Sequence, residues 1–257
     1  MLQGKVILVT GSSSGIGLAI ARAAQAEGAT VVLHGIEAEA LAQAAVDLGG
    51  VASVLADLTA PDAAASIIDT VLRTHGRIDG LVNNAASLAR TTLEQADEAA
   101  FDAIFAVNAR APLLLCREAV RAFRAAGNGG AIVNIGSVNA LCGQDNLLVY
   151  SMSKAALMTM TRNLGDALSA ERIRVNQLNV GWTLTETERA IQRREGQSED
   201  WAEHIPPAFA PTGRILRPEE VAQHAVFWLS DRSAPVTGQV YEVEQYPLVG
   251  RNKINTR

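Results

Sequence analysis

Short, nearly continuous apolar runs alternate along the chain with longer stretches in which apolar residues recur every three or four positions. The runs are KVILVT (5–10), TVVLH (30–34), VASVLAD (51–57), GLVNNA (80–85), AIVNIGS (131–137), IRVNQLNVG (173–181) and QVYEVE (239–244). Each is strand-length and rich in β-branched residues, and the early ones lack the polar alternation of a half-solvated strand, so they suit strands covered on both faces. The stretches between them read as helices. Ile16, Ile20 and Ala23 recur at helical spacing before Gly28, which serves as a stop. The pattern therefore predicts an α/β fold, a doubly wound parallel sheet of seven strands with helices on both faces. No repeat, low-complexity tract or linker interrupts it, so residues 1–257 are expected to form one domain. The exception to the alternation is about 182–217, a polar stretch with three prolines. Connections longer than about 15 residues are usually lids or binding loops, and this one is expected to be a substrate lid containing some helix.

The first strand runs directly into TGSSSGIG (10–17), which opens the first helix. Glycines at 11, 15 and 17 let the backbone turn tightly and approach a pyrophosphate, whose charge meets N–H groups and the positive end of the helix dipole. A Gly/Ser-rich turn can be only a turn. Its place after an N-terminal strand in a βαβ series favours a dinucleotide.

Composition narrows the partners. A 257-residue chain with 48% hydrophobic residues can bury a core of one large domain. The formal charge of −5, with only the Arg193 and Arg194 pair as a basic run, argues against nucleic acid and anionic membrane as partners. Small molecules are favoured. The start MLQGKVILVTG is too short in apolar residues for a secretory core or a membrane span, which points to the cytoplasm. Cys116 and Cys142 have no metal-ligand spacing around them, so no metal site is expected.

In YSMSK (150–154), Lys154 lies one helical turn from Tyr150 on the same face. A free phenol ionises near pH 10, and a nearby ammonium draws that value toward neutrality, so Tyr150 could exchange a proton with a substrate oxygen. Ser137 ends the fifth strand, at the carboxyl edge where open α/β sheets hold ligands.

Taken in order, these motifs resemble the short-chain dehydrogenase/reductase family, whose members are single Rossmann-type domains of about this length. The resemblance covers almost the whole chain: the G-x-x-x-G-x-G loop, Asp57 in ADLT, NNAA (83–86), Asn108 in FAVNAR, Ser137 in NIGS, Tyr150 with Lys154, and NVGWTLT (179–185). It implies an NAD(P)(H)-dependent oxidoreductase that moves a hydride between the nicotinamide and a secondary alcohol or ketone. The implied catalytic set is Asn108, Ser137, Tyr150 and Lys154. Ser137 would orient the substrate oxygen, Lys154 would also hold the ribose, and Asn108 would keep a relay water. The implied cofactor contacts are Gly11, Ser13, Ser14, Gly15, Ile16, Gly17, Gly35, Asp57, Leu58, Asn84, Ala85, Tyr150, Lys154, Gly181, Thr183 and Thr185. A homotetramer is implied too, and the apolar face around Phe101, Ile104 and Phe105 and the tail QYPLVGRNKINTR (245–257) are its candidate contacts.

Between NAD and NADP the sequence is nearly silent. Gly35 stands where an NAD enzyme usually carries a carboxylate and Ile36 where an arginine often follows. The missing carboxylate tips the reading to NADP, while Glu37 keeps NAD open and His34 is a further phosphate candidate. Substrate contacts are expected from Ser137, Asn139, Gln144, Tyr150 and Trp182, with Asn146 and His204 nearby in the reading. Their polarity favours a sugar, polyol or sugar acid, since an aliphatic ligand would leave buried polar groups unpaired. A 3-oxoacyl or small-ketone reductase is the alternative, and a non-catalytic NAD(P) sensor is the alternative of a different class. Three departures from the family pattern stand out: Ala86 for glycine, Val180 for proline, and EVEQYP (242–247) for VDGG.

Overall fold

The computed structural model describes residues 1–248. Seven strands form one parallel sheet: β1 (Val6–Val9), β2 (Thr30–Gly35), β3 (Ser53–Leu55), β4 (Gly80–Asn83), β5 (Gly130–Ser137), β6 (Ile173–Val180) and β7 (Val240–Val243), in the order β3-β2-β1-β4-β5-β6-β7. The expected seven-stranded, doubly wound sheet is thus present. The strand read at 51–57 contracts to three residues at one edge of the sheet, with Ser53 and Leu55 exposed.

The helices are α1 (Gly15–Ala26), α2 (Ala38–Asp47), α3 (Ala63–His75), α4 (Glu98–Phe105), α5 (Ala111–Ala126), α6 (Leu148–Ala167), α7 (Glu186–Arg194) and α8 (Pro218–Leu229). Successive strand residues point to opposite faces, which splits the core in two. Ile7 and Val9 pack with Ile20, Ala24, Leu41, Val221 and Leu229 under α1, α2 and α8. Val6 and Leu8 pack with Ile67, Val71, Leu115 and Phe123 under α3 and α5. Small buried residues, Gly17, Ala21 and Ala24 in α1 and Ala222 and Ala225 in α8, let those helices pack closely.

The continuous helical run Glu98–Ala126 is long and apolar enough, by length and composition, to cross a membrane. Here Ala111, Leu115, Cys116, Ala119, Val120 and Phe123 along it are buried against the sheet. The apolar face anticipated at 101–115 is divided. Ile104 is internal, whereas Phe101 stacks on Phe105 with centroids 4.2 Å apart and stays exposed along with Leu113. Of the tail, residues 249–257 lie outside the described residues.

A buried polar chain fastens α6 to the sheet. The Asn83 amide donates to Asn134 Oδ1 (2.8 Å), the Asn134 amide to Thr161 Oγ1 (2.8 Å), the Thr161 hydroxyl lies 2.9 Å from Gln177 Oε1, and the Gln177 amide donates to Asn179 Oδ1 (2.7 Å). Paired buried amides fix one register where an apolar contact would permit sliding. That register sets which α6 side chains face the carboxyl edge of β5.

The segment 182–217 has its own small core. Trp201, Ile205, Ala210 and Ile215 are buried together, with Trp182, Leu184 and Ala202 against them. A parallel bridge joins Thr183 to Leu216, and α7 lies between these two ends. Side chains tie the segment to the body: Arg90 forms an ion pair with Glu195, Arg214 with Glu220 of α8, and Gln245 binds Thr212 and the Arg214 carbonyl.

Candidate functional site

The glycine loop is built by backbone packing. Gly11 has φ of 60°, a left-handed value that favours glycine, and a Cβ there would lie 2.8 Å from Ala85 Cα. At Gly17 a Cβ would stand 2.2 Å from the Gly11 carbonyl oxygen and 2.5 Å from the Asn84 amide nitrogen. Asn84 donates to the carbonyls of Thr10 and Gly11, both at 2.9 Å, while the Thr10 hydroxyl accepts the N–H groups of Asn84 and Ala85. Asn84 and Ala85 therefore shape the loop from the β4 side. Ser14 is the residue before α1, extended in backbone, and its side chain does not cap the helix. The first N–H groups of α1, at Gly15, Ile16 and Gly17, are left for an anion. This cradle fits a dinucleotide pyrophosphate. Thr185, which itself caps α7 by accepting from the Glu188 N–H at 3.0 Å, sits 3.5 Å from where a Gly15 Cβ would be. Thr183 and Gly181 continue that wall, and a Cβ at Gly181 would collide with the Glu244 carboxylate.

His34 is not free for a phosphate. Its Nδ1 accepts the Gly11 N–H at 3.3 Å and its Nε2 lies 3.1 Å from the Ala56 carbonyl, so the ring bolts the loop to β2 and the end of β3. Burial pushes its pKa down. The buried Ser12 hydroxyl ties the same loop to the Val9 carbonyl and the His34 N–H. At the end of β2, Gly35 faces Ser13: a Cβ there would approach Ser13 Oγ to 3.3 Å. Ile36 and Glu37 are exposed beside it. Asp57 is exposed and accepts the N–H and hydroxyl of Thr59, both at 2.8 Å, which lowers its pKa, and Leu58 turns into the core.

Tyr150, Lys154 and Ser137 converge at the carboxyl edge of β5. Tyr150 is buried at 8% exposure and Lys154 at 3%. The Ser137 hydroxyl accepts the Asn139 N–H at 3.1 Å, and its influence on the phenol is to lower the Tyr150 pKa. The family's proline is replaced here by Val180, which pairs in β6 opposite Ser137 and opposite Val243 of β7, so the strand end that carries Ser137 is held in the sheet. Lys154 donates from Nζ to the Ile135 carbonyl at 2.8 Å, with Nζ 5.7 Å from the Tyr150 ring centre, within cation–π range.

The electrostatics differ from the simple picture of an ammonium drawing the phenol to neutrality. Burial raises the Tyr150 pKa, the Ser137 hydrogen bond opposes that rise, and the carboxylate of Glu188 adds to it. Burial lowers Lys154 to about 8. In the protein alone the phenol is a proton-bearing group beside an amine held at reduced basicity.

Asn108 lies in a π-helical turn (Ala106–Arg110) between α4 and α5, a local widening that often marks functional positions. Its Oδ1 accepts the Ser87 N–H at 2.7 Å, and its Nδ2 donates to the Ser87 carbonyl and to Ser153 Oγ, both at 3.0 Å. Ser153 in turn donates to the Tyr150 carbonyl at 2.6 Å. Asn108 thus links the loop after β4 to the helix that carries Tyr150.

The anticipated substrate contacts separate. Asn139 is half-buried with its N–H on Ser137, Asn146 is half-buried with its carbonyl accepting the Thr91 N–H, and Gln144 is exposed on the loop before α6. Trp182 gives its indole N–H to Glu188 at 2.8 Å and stacks on Trp201 at 5.4 Å between centroids. His204 is exposed and faces Asp200, 3.4 Å away. Thr10, Ser12, Ser87, Ser153, Glu188 and Gln245 were not legible as site residues. Only Gln245, as a departure from the family pattern, had a sequence signal.

Comparison with known proteins adds a chemical context. Residues 11–245 match a family model described as enoyl-(acyl carrier protein) reductase. The chain is 35% identical over 247 residues to the 2-(S)-hydroxypropyl-CoM dehydrogenase 3 of Xanthobacter autotrophicus, covering 95% of this chain and 96% of that one. It is 34% identical over 244 residues to the D-threitol dehydrogenase of Mycolicibacterium smegmatis, covering 92% and 90%. The solved structure of an L-sorbose reductase from Gluconobacter frateurii, complexed with NADPH and L-sorbose, superposes with a TM-score of 0.89 at 33% identity over 97% of this chain and 98% of that one.

Proposed function

The chain belongs to the short-chain dehydrogenase/reductase family, as an NAD(P)(H)-dependent alcohol dehydrogenase or carbonyl reductase, and from that premise we propose that it interconverts a polyhydroxylated secondary alcohol and its ketone. The observation that carries the reading is the convergence of Ser137, Tyr150 and Lys154 where β5 ends, with all three side chains buried and Lys154 Nζ 5.7 Å from the phenol ring centre.

In this reading the glycine loop and the start of α1 hold the pyrophosphate, Asp57 and Leu58 lie toward the adenine, and Gly181, Thr183 and Thr185 flank the nicotinamide. Bound NAD(P)(H) supplies the hydride acceptor or donor. Ser137 orients the substrate oxygen by hydrogen bonding. Tyr150 takes the hydroxyl proton in oxidation and returns it in reduction. Lys154 holds the ribose and biases the phenol through its charge, and Asn108 keeps the loop after β4 and α6 in their mutual position. The 182–217 segment acts as the lid.

The polar set at the mouth favours a sugar, polyol or sugar acid. The relatives named for threitol and sorbose support that class, while relatives named as 3-oxoacyl-(acyl-carrier-protein) reductases keep the small-ketone alternative. The absence of a side chain at Gly35 favours NADP, because no carboxylate meets a 2′-phosphate there. Residues 1–257 act as one domain, in the cytoplasm, without nucleic acid or membrane, and the exposed Phe101 and Leu113 suit contacts within a homotetramer; sedimentation as a single 27.1 kDa species would remove that last element.

The test is nicotinamide absorbance with NAD and NADP in parallel across polyols, sugar acids and aliphatic ketones. Turnover of the hydroxylated compounds with NADP is expected. Inert polyols beside active acyl ketones would replace this substrate class by the alternative. Tyr150→Phe should lower turnover by at least about a hundredfold while NADPH still binds; unchanged turnover would remove Tyr150 from the proton transfer, and cofactor binding with no turnover of any compound by the wild-type protein would make it a sensor.

A further inference from the structure

The helix that carries Tyr150 and Lys154 begins without a cap of its own. The residue before it is Leu147, whose side chain has no oxygen to offer the free N–H groups of the first turn. Two cap-type residues precede Leu147. Asp145 takes the Asn146 N–H at 2.8 Å, and Asn146 Oδ1 is buried with no hydrogen-bond partner among the described residues. The cap comes instead from Thr91, on the loop after β4 and 58 positions before Val149.

Thr91 is 4% exposed and meets the start of α6 with all three of its polar groups. Its N–H donates to the Asn146 carbonyl at 2.8 Å, its carbonyl accepts the Leu148 N–H at 3.2 Å, and its hydroxyl oxygen accepts the Val149 N–H at 3.3 Å. Those two N–H groups belong to the first and second residues of α6, and Tyr150 is the third. The backbone bonds would form with any residue at 91, whereas the hydroxyl bond needs serine or threonine. The same loop holds Tyr150 from its carbonyl side: Asn108 binds the Ser87 backbone and Ser153 Oγ, and Ser153 donates to the Tyr150 carbonyl at 2.6 Å. Thr91 and Ser87 thus grip α6 on both sides of Tyr150.

We propose that Thr91 is a positioning residue for the proton transfer, which caps α6 from the loop after β4 and so fixes where the Tyr150 phenol stands. Helix ends fray unless their N–H groups are paired, and Tyr150 lies inside the first turn, so a loosened start moves the phenol directly. A misplacement of about 1 Å can cost about a hundredfold in rate, and a fraction of that is readily measured. Thr91 needs no contact with substrate or dinucleotide for this. The inference rests on the reading of Tyr150 as the proton-transfer group and adds the residue that holds it in place.

Two variants separate position from stability. Thr91→Val keeps the shape and the backbone bonds and removes the acceptor, while Thr91→Ser keeps the acceptor and removes a buried methyl. Each gives up stability, by a different route. The assay uses whichever of a hexitol with NADP or an aliphatic ketone with NADPH the protein turns over. Thr91→Val should lower kcat at least about tenfold, with KM and the NADPH dissociation constant within about threefold of wild type. Thr91→Ser should keep kcat within about threefold of wild type. A residue that only stabilises the fold would make both variants follow their thermal midpoints.

A second readout needs no substrate. Amide hydrogen exchange over residues 148–151 should run at least about threefold faster in Thr91→Val than in wild type, and within about twofold of wild type in Thr91→Ser. An unchanged kcat in Thr91→Val, a Thr91→Ser variant as slow as Thr91→Val, or exchange unmoved by Thr91→Val overturns the proposal. Should Thr91→Val not fold, Thr91→Cys takes its place with the same outcomes, because sulfur is a weak acceptor. Tyr150→Phe is measured beside them. Full turnover in that variant sinks the reading of Tyr150 itself, whereas an inactive Tyr150→Phe beside an unaffected Thr91→Val removes Thr91 alone.

Discussion

Replacing Lys154 by Met separates the cost of the catalytic amine from its use. The amine is fully enclosed, and burial depresses its pKa from 10.5 to about 8, a gap of about 2.5 pH units. At about 1.36 kcal/mol per unit, keeping it charged at pH 7 costs the folded protein about 3 kcal/mol. Methionine has a similar length and no charge, but it forfeits the bond to the Ile135 carbonyl, worth about 1.5 kcal/mol for a charged donor. The variant should therefore be more stable at pH 7 by about 1–2 kcal/mol, raising the thermal midpoint by roughly 2–6 °C for a domain of this size, while turnover is lost. The sign with pH is set by linkage. The unfolded chain keeps the lysine proton up to about pH 10.5 and the folded chain releases it near 8, so wild-type stability climbs across that window. At about 1.36 kcal/mol per pH unit the lead of Lys154→Met should shrink from pH 8 upward, vanish about 1–1.5 units higher and reverse before the unfolded value of 10.5. Paired thermal melts at pH 7, 8, 9 and 10.5 give the answer. A variant less stable than wild type at pH 7, or a lead that stays constant with pH, would refute the reasoning.

Gly17→Ala would push a methyl onto the Gly11 carbonyl and the Asn84 amide, so it should cost about 1–3 kcal/mol and weaken NADPH binding at least tenfold, as measured by fluorescence titration. Asn108→Ala strips partners from the Ser87 backbone and Ser153, and should destabilise by about 2–3 kcal/mol; an unchanged urea midpoint would show that these bonds do not hold the site together. The depressed pKa of His34 means that its contribution is complete above the unfolded value of 6.5 and is lost as pH falls below it, at up to about 1.36 kcal/mol per pH unit. His34→Asn should flatten that slope between pH 5 and 6.5, and an equal slope in both proteins would assign the acid sensitivity to other groups.

The alternation of runs was sufficient for the parallel sheet and its seven strands, because a strand covered on both faces must be apolar throughout, and such a run is visible in one dimension. The glycine loop and the Tyr150–Lys154 spacing were legible for a similar reason: local backbone freedom and one helical turn are short-range properties. The roles that the chain alone did not reveal belong to residues distant in sequence. His34 read as a possible phosphate ligand until the fold set it between the Gly11 N–H and the Ala56 carbonyl. Trp182 read as a substrate contact, and its indole proved to be donated to Glu188. The phenol is expected to be drawn toward neutrality by its neighbouring amine together with the charge of a bound oxidised nicotinamide; what the chain alone did not reveal is that in the protein by itself burial, chiefly, raises it. Hydrophobic periodicity encodes which face is buried. Desolvation and charge depend on what the crossovers bring within a few ångströms, and those distances exist only once the sheet has assembled.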